Sequence, residues 1–232
     1  MSNREKLAVN CFYHIYNRGT EKRKIFLRDS DYLRFIASLF LCNSSKPADL
    51  KLQGSTLYEF LKNERGETLV NMCAYCLMPN HFHLLLQEKI DGGISKFMQK
   101  LQTAYTMYFN QKYERTGALF QGKYKLLIVE KDNHLKYLIS YIHLNPIKLI
   151  EPEWKEKGIL DVKKSKQFLE KYRYSSYLDF IGRERLEKII LNTAVLPEYF
   201  EKPTDFEDTT REWLEYGIQG WNTRFDLVNE TL

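Results

Sequence analysis

The apolar positions along this chain change period in a regular order. Residues 11–17, CFYHIYN, are aromatic and β-favouring and stop at Arg18-Gly19, which predicts a first strand. Asp29 or Ser30 then stands where an N-cap is wanted, ahead of Leu33, Ile36, Leu39 and Phe40 at helical spacing. Residues 43–68 are polar, with Pro47, Gly54 and Gly66, and predict a long loop with a short helix near 57–61. Two apolar runs, 69–78 and 81–87, flank Pro79-Asn80 and predict an antiparallel hairpin. Asp91-Gly92-Gly93 opens a helix on which Ile94, Phe97, Met98, Leu101, Tyr105, Tyr108 and Phe109 share one face. After a loop punctuated by Gly117 and Gly122, residues 125–130 read as a strand. Asp132 or Asn133 then caps a helix that ends before Pro146.

Strand, helix, strand, strand, helix, strand and a further helix is the α+β, ferredoxin-like split βαββαβ arrangement, with a four-stranded antiparallel sheet and an added helix after it. The expected division is a core over residues 1–150 and a partly helical C-terminal extension over 151–232, acidic after 197. Within the tail, FEDTTREWLEYGIQ has amphipathic spacing, with Trp213, Leu214 and Ile218 partly on one side. Such an acidic helix either solvates the surface or covers a basic face.

Composition narrows the classes. The chain is 44% hydrophobic and 14% aromatic, enough for a packed core. No apolar run reaches the roughly 18–20 residues of a membrane span. The opening MSNREKLAVN has no signal-like apolar stretch, so a cytoplasmic protein without membrane contact is the default expectation. Cys73 and Cys76 have zinc-like spacing but no second pair, and inside an apolar run they read as small buried hydrophobes. Charge is uneven. From residue 197 onward nine acids face three bases, a net of −6, so the rest of the chain carries +11 against +5 for the whole. Between residues 96 and 136 eight bases face three acids. A basic body fits a polyanionic partner.

Chemistry concentrates in two places. Alternation along a strand projects His81 and His83 from one face, where two imidazoles can take adjacent positions around a cation. Helical spacing sets Tyr141 and Asn145 one turn apart on one face, as a candidate nucleophile and a candidate carboxamide ligand. Pro146 disfavours helical geometry at Asn145 and predicts fraying there. Tyr137, a turn earlier on the same face, is a rival nucleophile. His143 is a nearby base in sequence, but the spacing turns it to another face.

The stretches YHIYNRG, MPNHFHLLL, GALFQGKYK and YIHLNPIK, in that order between about residues 11 and 150, resemble the single-tyrosine HUH transposases, and within them the REP-associated tyrosine transposases. HUH denotes histidine, hydrophobic residue, histidine, which His81-Phe82-His83 matches. The resemblance implies a metal-binding pair at His81 and His83, a nucleophile at Tyr141, and a third ligand at Asn145, where some relatives carry glutamine. It places DNA contacts near Asn17, Arg18 and Arg23, and near Gln121, Lys123, Tyr124 and Lys125. The implied cofactor is Mg2+ or Mn2+. The implied partner is single-stranded DNA that forms hairpins, handled by a monomer or a homodimer. The implied reaction is cleavage through a 5′-phosphotyrosine followed by rejoining. The long 43–68 connection and the acidic tail depart from the family pattern. A DNA- or hairpin-binding module that has lost catalysis is the alternative expectation.

Overall fold

The computed structural model describes residues 7–47, 56–62, 64–200 and 202–216. In chain order these form β1 (Phe12–Arg18), α1 (Asp29–Cys42), α2 (Leu57–Leu61), β2 (Val70–Met78), β3 (His81–Glu88), α3 (Gly93–Lys112), β4 (Lys125–Val129) and α4 (Asp132–Leu144). The strands make one sheet in the order β2-β3-β1-β4 with every neighbouring pair antiparallel. In β1-α1-β2 the two strands run parallel with β3 inserted between them, and in β3-α3-β4 with β1 inserted. That is the split βαβ plan expected from the periodicity. The short helix falls at Leu57–Leu61, and residues 48–55 and 63 of the long connection lie outside the described residues.

Alternation divides the strands between two cores. On one face Tyr13, Ile15, Phe82, Leu84 and Leu86 pack against Phe35, Ile36 and Leu39 of α1 and Phe97, Met98, Leu101 and Tyr105 of α3. On the other face a bulge at Cys73 turns both Cys73 and Ala74 toward α4, where they join Cys76, Met78 and Leu85. All three of these strand cysteine and alanine side chains are fully buried, as expected of small hydrophobes.

The helix starts differ from those expected. Helix α1 begins at Asp29 with Arg28 in the N-cap position, and its cap is the Asp31 carboxylate reaching back to the Leu27 and Arg28 amides at 2.8 and 2.9 Å. Helix α4 begins at Asp132, so Lys131 rather than Asp132 or Asn133 is its N-cap. Helix α3 has glycine at its N-cap and no side-chain cap there; instead the buried Glu88 carboxylate accepts from the Ile94 amide at 2.8 Å.

Past α4 the chain forms α5 (Trp154–Lys157), α6 (Val162–Leu169), α7 (Tyr177–Phe180) and α8 (Pro203–Tyr216). These close over the outer side of α4: Leu169, Tyr172, Tyr177 and Phe206 share the second core with Leu138, Ile139 and Ile142. Residues 172–176 also run along β2, with Leu77 N–H donating to the Tyr174 carbonyl at 2.9 Å and Ser176 N–H donating to the Tyr75 carbonyl at 2.9 Å. The described part of the acidic tail thus includes a docked helix. Ile218 and the side chains of Trp213 and Leu214 lie outside the described residues. No helix among the described residues is long and apolar enough to cross a membrane.

Candidate active site

Strand register sets the floor of the site. On the α4 side of the sheet one row across the strands reads Cys76, His83, Tyr16, Lys125, and the next reads Met78, His81, Arg18. His81 and His83 therefore do share a face, with centroids 5.1 Å apart and rings at 89°. Each has its Nδ1 engaged. His81 Nδ1 meets Asn80 Oδ1 at 2.7 Å, and His83 Nδ1 meets His14 Nε2 at 2.9 Å. A carboxamide oxygen only accepts, so His81 carries its proton on Nδ1 and its unprotonated nitrogen is Nε2.

Helix α4 brings the tyrosine down onto this floor. The Tyr141 ring stands edge-on to His83, 5.7 Å between centroids at 86°, and edge-on to His14 at 6.2 Å and 80°. Tyr137 lies behind it at 5.7 Å. The helix does not fray at Asn145. That residue keeps right-handed helical angles (φ −50°, ψ −39°) and leads into a 3-10 turn over Asn145–Leu149. Its Nδ2 donates to the Tyr141 carbonyl at 2.9 Å, a second tie beside the backbone bond to the same oxygen. Buried polar contacts thus override the bias imposed by Pro146. Burial pushes the Tyr141 hydroxyl up to about 12, while the Asn145 carboxamide and the Lys148 charge oppose that rise. The phenol is therefore protonated at neutral pH.

His143 has a different job. It points away from the site into the extension, where Nε2 meets Ser176 Oγ at 2.7 Å among Tyr177, Phe180 and Phe206. Complete burial pulls it down to about 3, so it is a neutral anchor and not a base for Tyr141.

Two imidazoles with fixed Nδ1 partners and a buried carboxamide fit a divalent cation chemically. No cluster of three His, Cys, Asp or Glu suited to a metal occurs among the described residues. Residues 8–145 match the family model described as "Transposase IS200 like". The chain belongs to that family. Solved structures similar to it include the following two. One is a REP-associated tyrosine transposase bound to a REP hairpin, with 12% identity, a TM-score of 0.49, and coverage of 81% of this chain and 89% of that one. The other is a Deinococcus radiodurans R1 protein described as a transposase, with 16% identity, a TM-score of 0.33, and coverage of 60% and 90%. No curated protein sequence matches the chain.

In this IS200-like transposase the two segments expected near DNA meet at one end of the sheet. Gly19 bridges Phe120, Gln121 N–H donates to the Arg18 carbonyl at 2.8 Å, and the Arg18 guanidinium donates to Gln121 Oε1. Asn17 Nδ2 donates to the Gly122 carbonyl at 3.2 Å. Gly19 is required there, because a Cβ would sit 2.3 Å from the Arg23 carbonyl oxygen. Arg23 Nε donates to the Thr20 carbonyl at 3.1 Å, holding that loop. Lys123 and Lys125 are exposed beside them. Tyr124 is not: it points into the first core, buried, its hydroxyl 3.4 Å from Ser95 Oγ. Alternation with Lys123 and Lys125 forecasts this, and adjacency in sequence misled. His14 and Lys148 are the site neighbours that motif spacing passed over.

Proposed function

We propose that this transposase cuts and rejoins single-stranded DNA by attack of Tyr141 on a backbone phosphate. The Tyr141 oxygen forms a bond to phosphorus as the bond to the 3′ oxygen breaks. The phenol gives up its proton and the departing 3′ oxygen gains one, leaving a 5′-phosphotyrosine and a free 3′-hydroxyl. Because one phosphate ester replaces another, the strand can later be passed to a new 3′-hydroxyl. A divalent cation, Mg2+ or Mn2+, held by His81, His83 and Asn145 would supply positive charge at a non-bridging phosphate oxygen. All three ligands are neutral, so none cancels that charge. Arg18, Lys123 and Lys125 at the sheet end, with Gln121, would hold the strand alongside.

The observation that carries this reading is the Tyr141 ring standing edge-on against His83 within one chain, at 5.7 Å. It also supports a site complete in a single protomer. The substrate to test first is a hairpin-bearing single strand, the class that the motif resemblance implies. Incubation with a library of such strands and Mn2+, followed by trapping and sequencing, should recover protein-linked DNA with one hairpin and flank enriched. Recovery of bound but never linked DNA would instead favour the non-catalytic hairpin-binding module.

A further inference from the structure

We infer that His14 is a positioning residue, whose imidazole fixes the proton of His83 on Nδ1 and so turns the His83 Nε2 lone pair to the site. This rests on the reading of His83 as a metal ligand and deepens it. His14 lies on β1, is buried at 2% exposure, and is flanked in register by Leu85 of β3 and Leu127 of β4. Its contact with His83 is directional. The ring nitrogens are 2.9 Å apart, the planes differ by only 18°, and the centroids stand 5.1 Å apart. Rings stacked face to face would lie closer. This is the separation of two nearly coplanar imidazoles joined nitrogen to nitrogen in line.

Such a bond holds one proton between two nitrogens. With that proton on His83 Nδ1, His14 Nε2 accepts it, and His83 presents an unprotonated Nε2. The reverse arrangement would place hydrogen on His83 Nε2 and block it as a donor to a cation. Asn80 enforces the same choice on His81 through its carboxamide oxygen. The two candidate ligands are thus oriented by different neighbours to one end, as second partners of metal-bound histidines commonly do. His14 also touches the nucleophile, edge to face with Tyr141 at 6.2 Å. A phenylalanine would serve the packing equally well but not the nitrogen contact.

The test compares wild type with His14→Phe, His14→Gln and His83→Ala, titrating Mn2+ into DNA-free protein and following free Mn2+ by electron paramagnetic resonance. His14→Phe should fold like wild type and bind Mn2+ about 10- to 100-fold more weakly. His14→Gln, whose carboxamide oxygen can accept from Nδ1, should recover much of that loss. Adduct formation at saturating Mn2+ should fall less in His14→Phe than adduct formation at limiting Mn2+. Unchanged Mn2+ affinity in His14→Phe, or no recovery with glutamine, overturns the inference. Should the phenylalanine variant not fold, nitrogen-15 resonances of the unmodified histidines decide: His83 protonated on Nδ1 supports it, and His83 protonated on Nε2 sinks it. If wild type binds no Mn2+, or His83→Ala binds it as well, the metal reading of His83 itself has failed.

Discussion

Asp31 shows how much one buried side chain can carry. Its carboxylate accepts from the Lys112 ammonium at 2.6 Å and the Tyr113 and Tyr108 hydroxyls at 2.7 and 3.0 Å, besides the two amides that it caps. Burial pushes its pKa up, and these donors more than reverse that, so it stays below the usual carboxylate range. A depressed pKa means stabilisation that is present above the unfolded-state value and lost as pH falls through the folded one. Asp31→Asn should therefore cost about 3 kcal/mol near pH 7, because it strands Lys112 and two hydroxyls. Urea midpoints should show that gap narrowing toward pH 3. An unchanged gap would assign the loss to shape rather than charge. Asp31 was legible only as one acid in a helix start, since its partners come from the far end of α3. His14 was equally hidden. Its strand was legible, but which strand lies beside it, and in which register, is set by the sheet order rather than by local pattern.

Helix α4 is held on two sides, and that arrangement positions the tyrosine. One side packs on β2 and β3, and the other is covered by α6, α7 and α8. Phe206 of α8 is fully buried against His143, Tyr177, Phe180 and Phe200. Phe206→Ala should cost about 3–5 kcal/mol in unfolding free energy. Ser176→Ala, which leaves His143 Nε2 without that hydroxyl, should cost about 1–3 kcal/mol. Both should slow adduct formation while leaving single-strand affinity near wild type, as read by fluorescence anisotropy. A fall in affinity matching the fall in adduct would contradict a positioning role for the extension. The periodicity located each strand and helix of the core to within a residue or two, because each element buries one face. It did not reveal what the outer side of α4 meets. An amphipathic tail helix has the same pattern whether its apolar side docks on its own chain or on something else.

At the scale of the whole molecule, α8 in the acidic tail is tied down by Glu207 to Lys166 at 2.9 Å, while Arg18, Lys123 and Lys125 collect at one end of the sheet. If a strand runs over that end, Arg18→Ala combined with Lys125→Ala should flatten the salt dependence of binding by about 0.7 in log–log slope per lost phosphate contact. An unchanged slope would move the DNA elsewhere. The covalent product shows whether Tyr141 is the nucleophile. A tryptic peptide of the adduct spanning residues 137–148 holds both tyrosine candidates, so fragment ions within it decide. Nucleotide mass should lie on Tyr141, with no adduct from Tyr141→Phe and with Tyr137→Phe still reacting. Nucleotide mass on Tyr137, or an adduct that survives Tyr141→Phe, would contradict it.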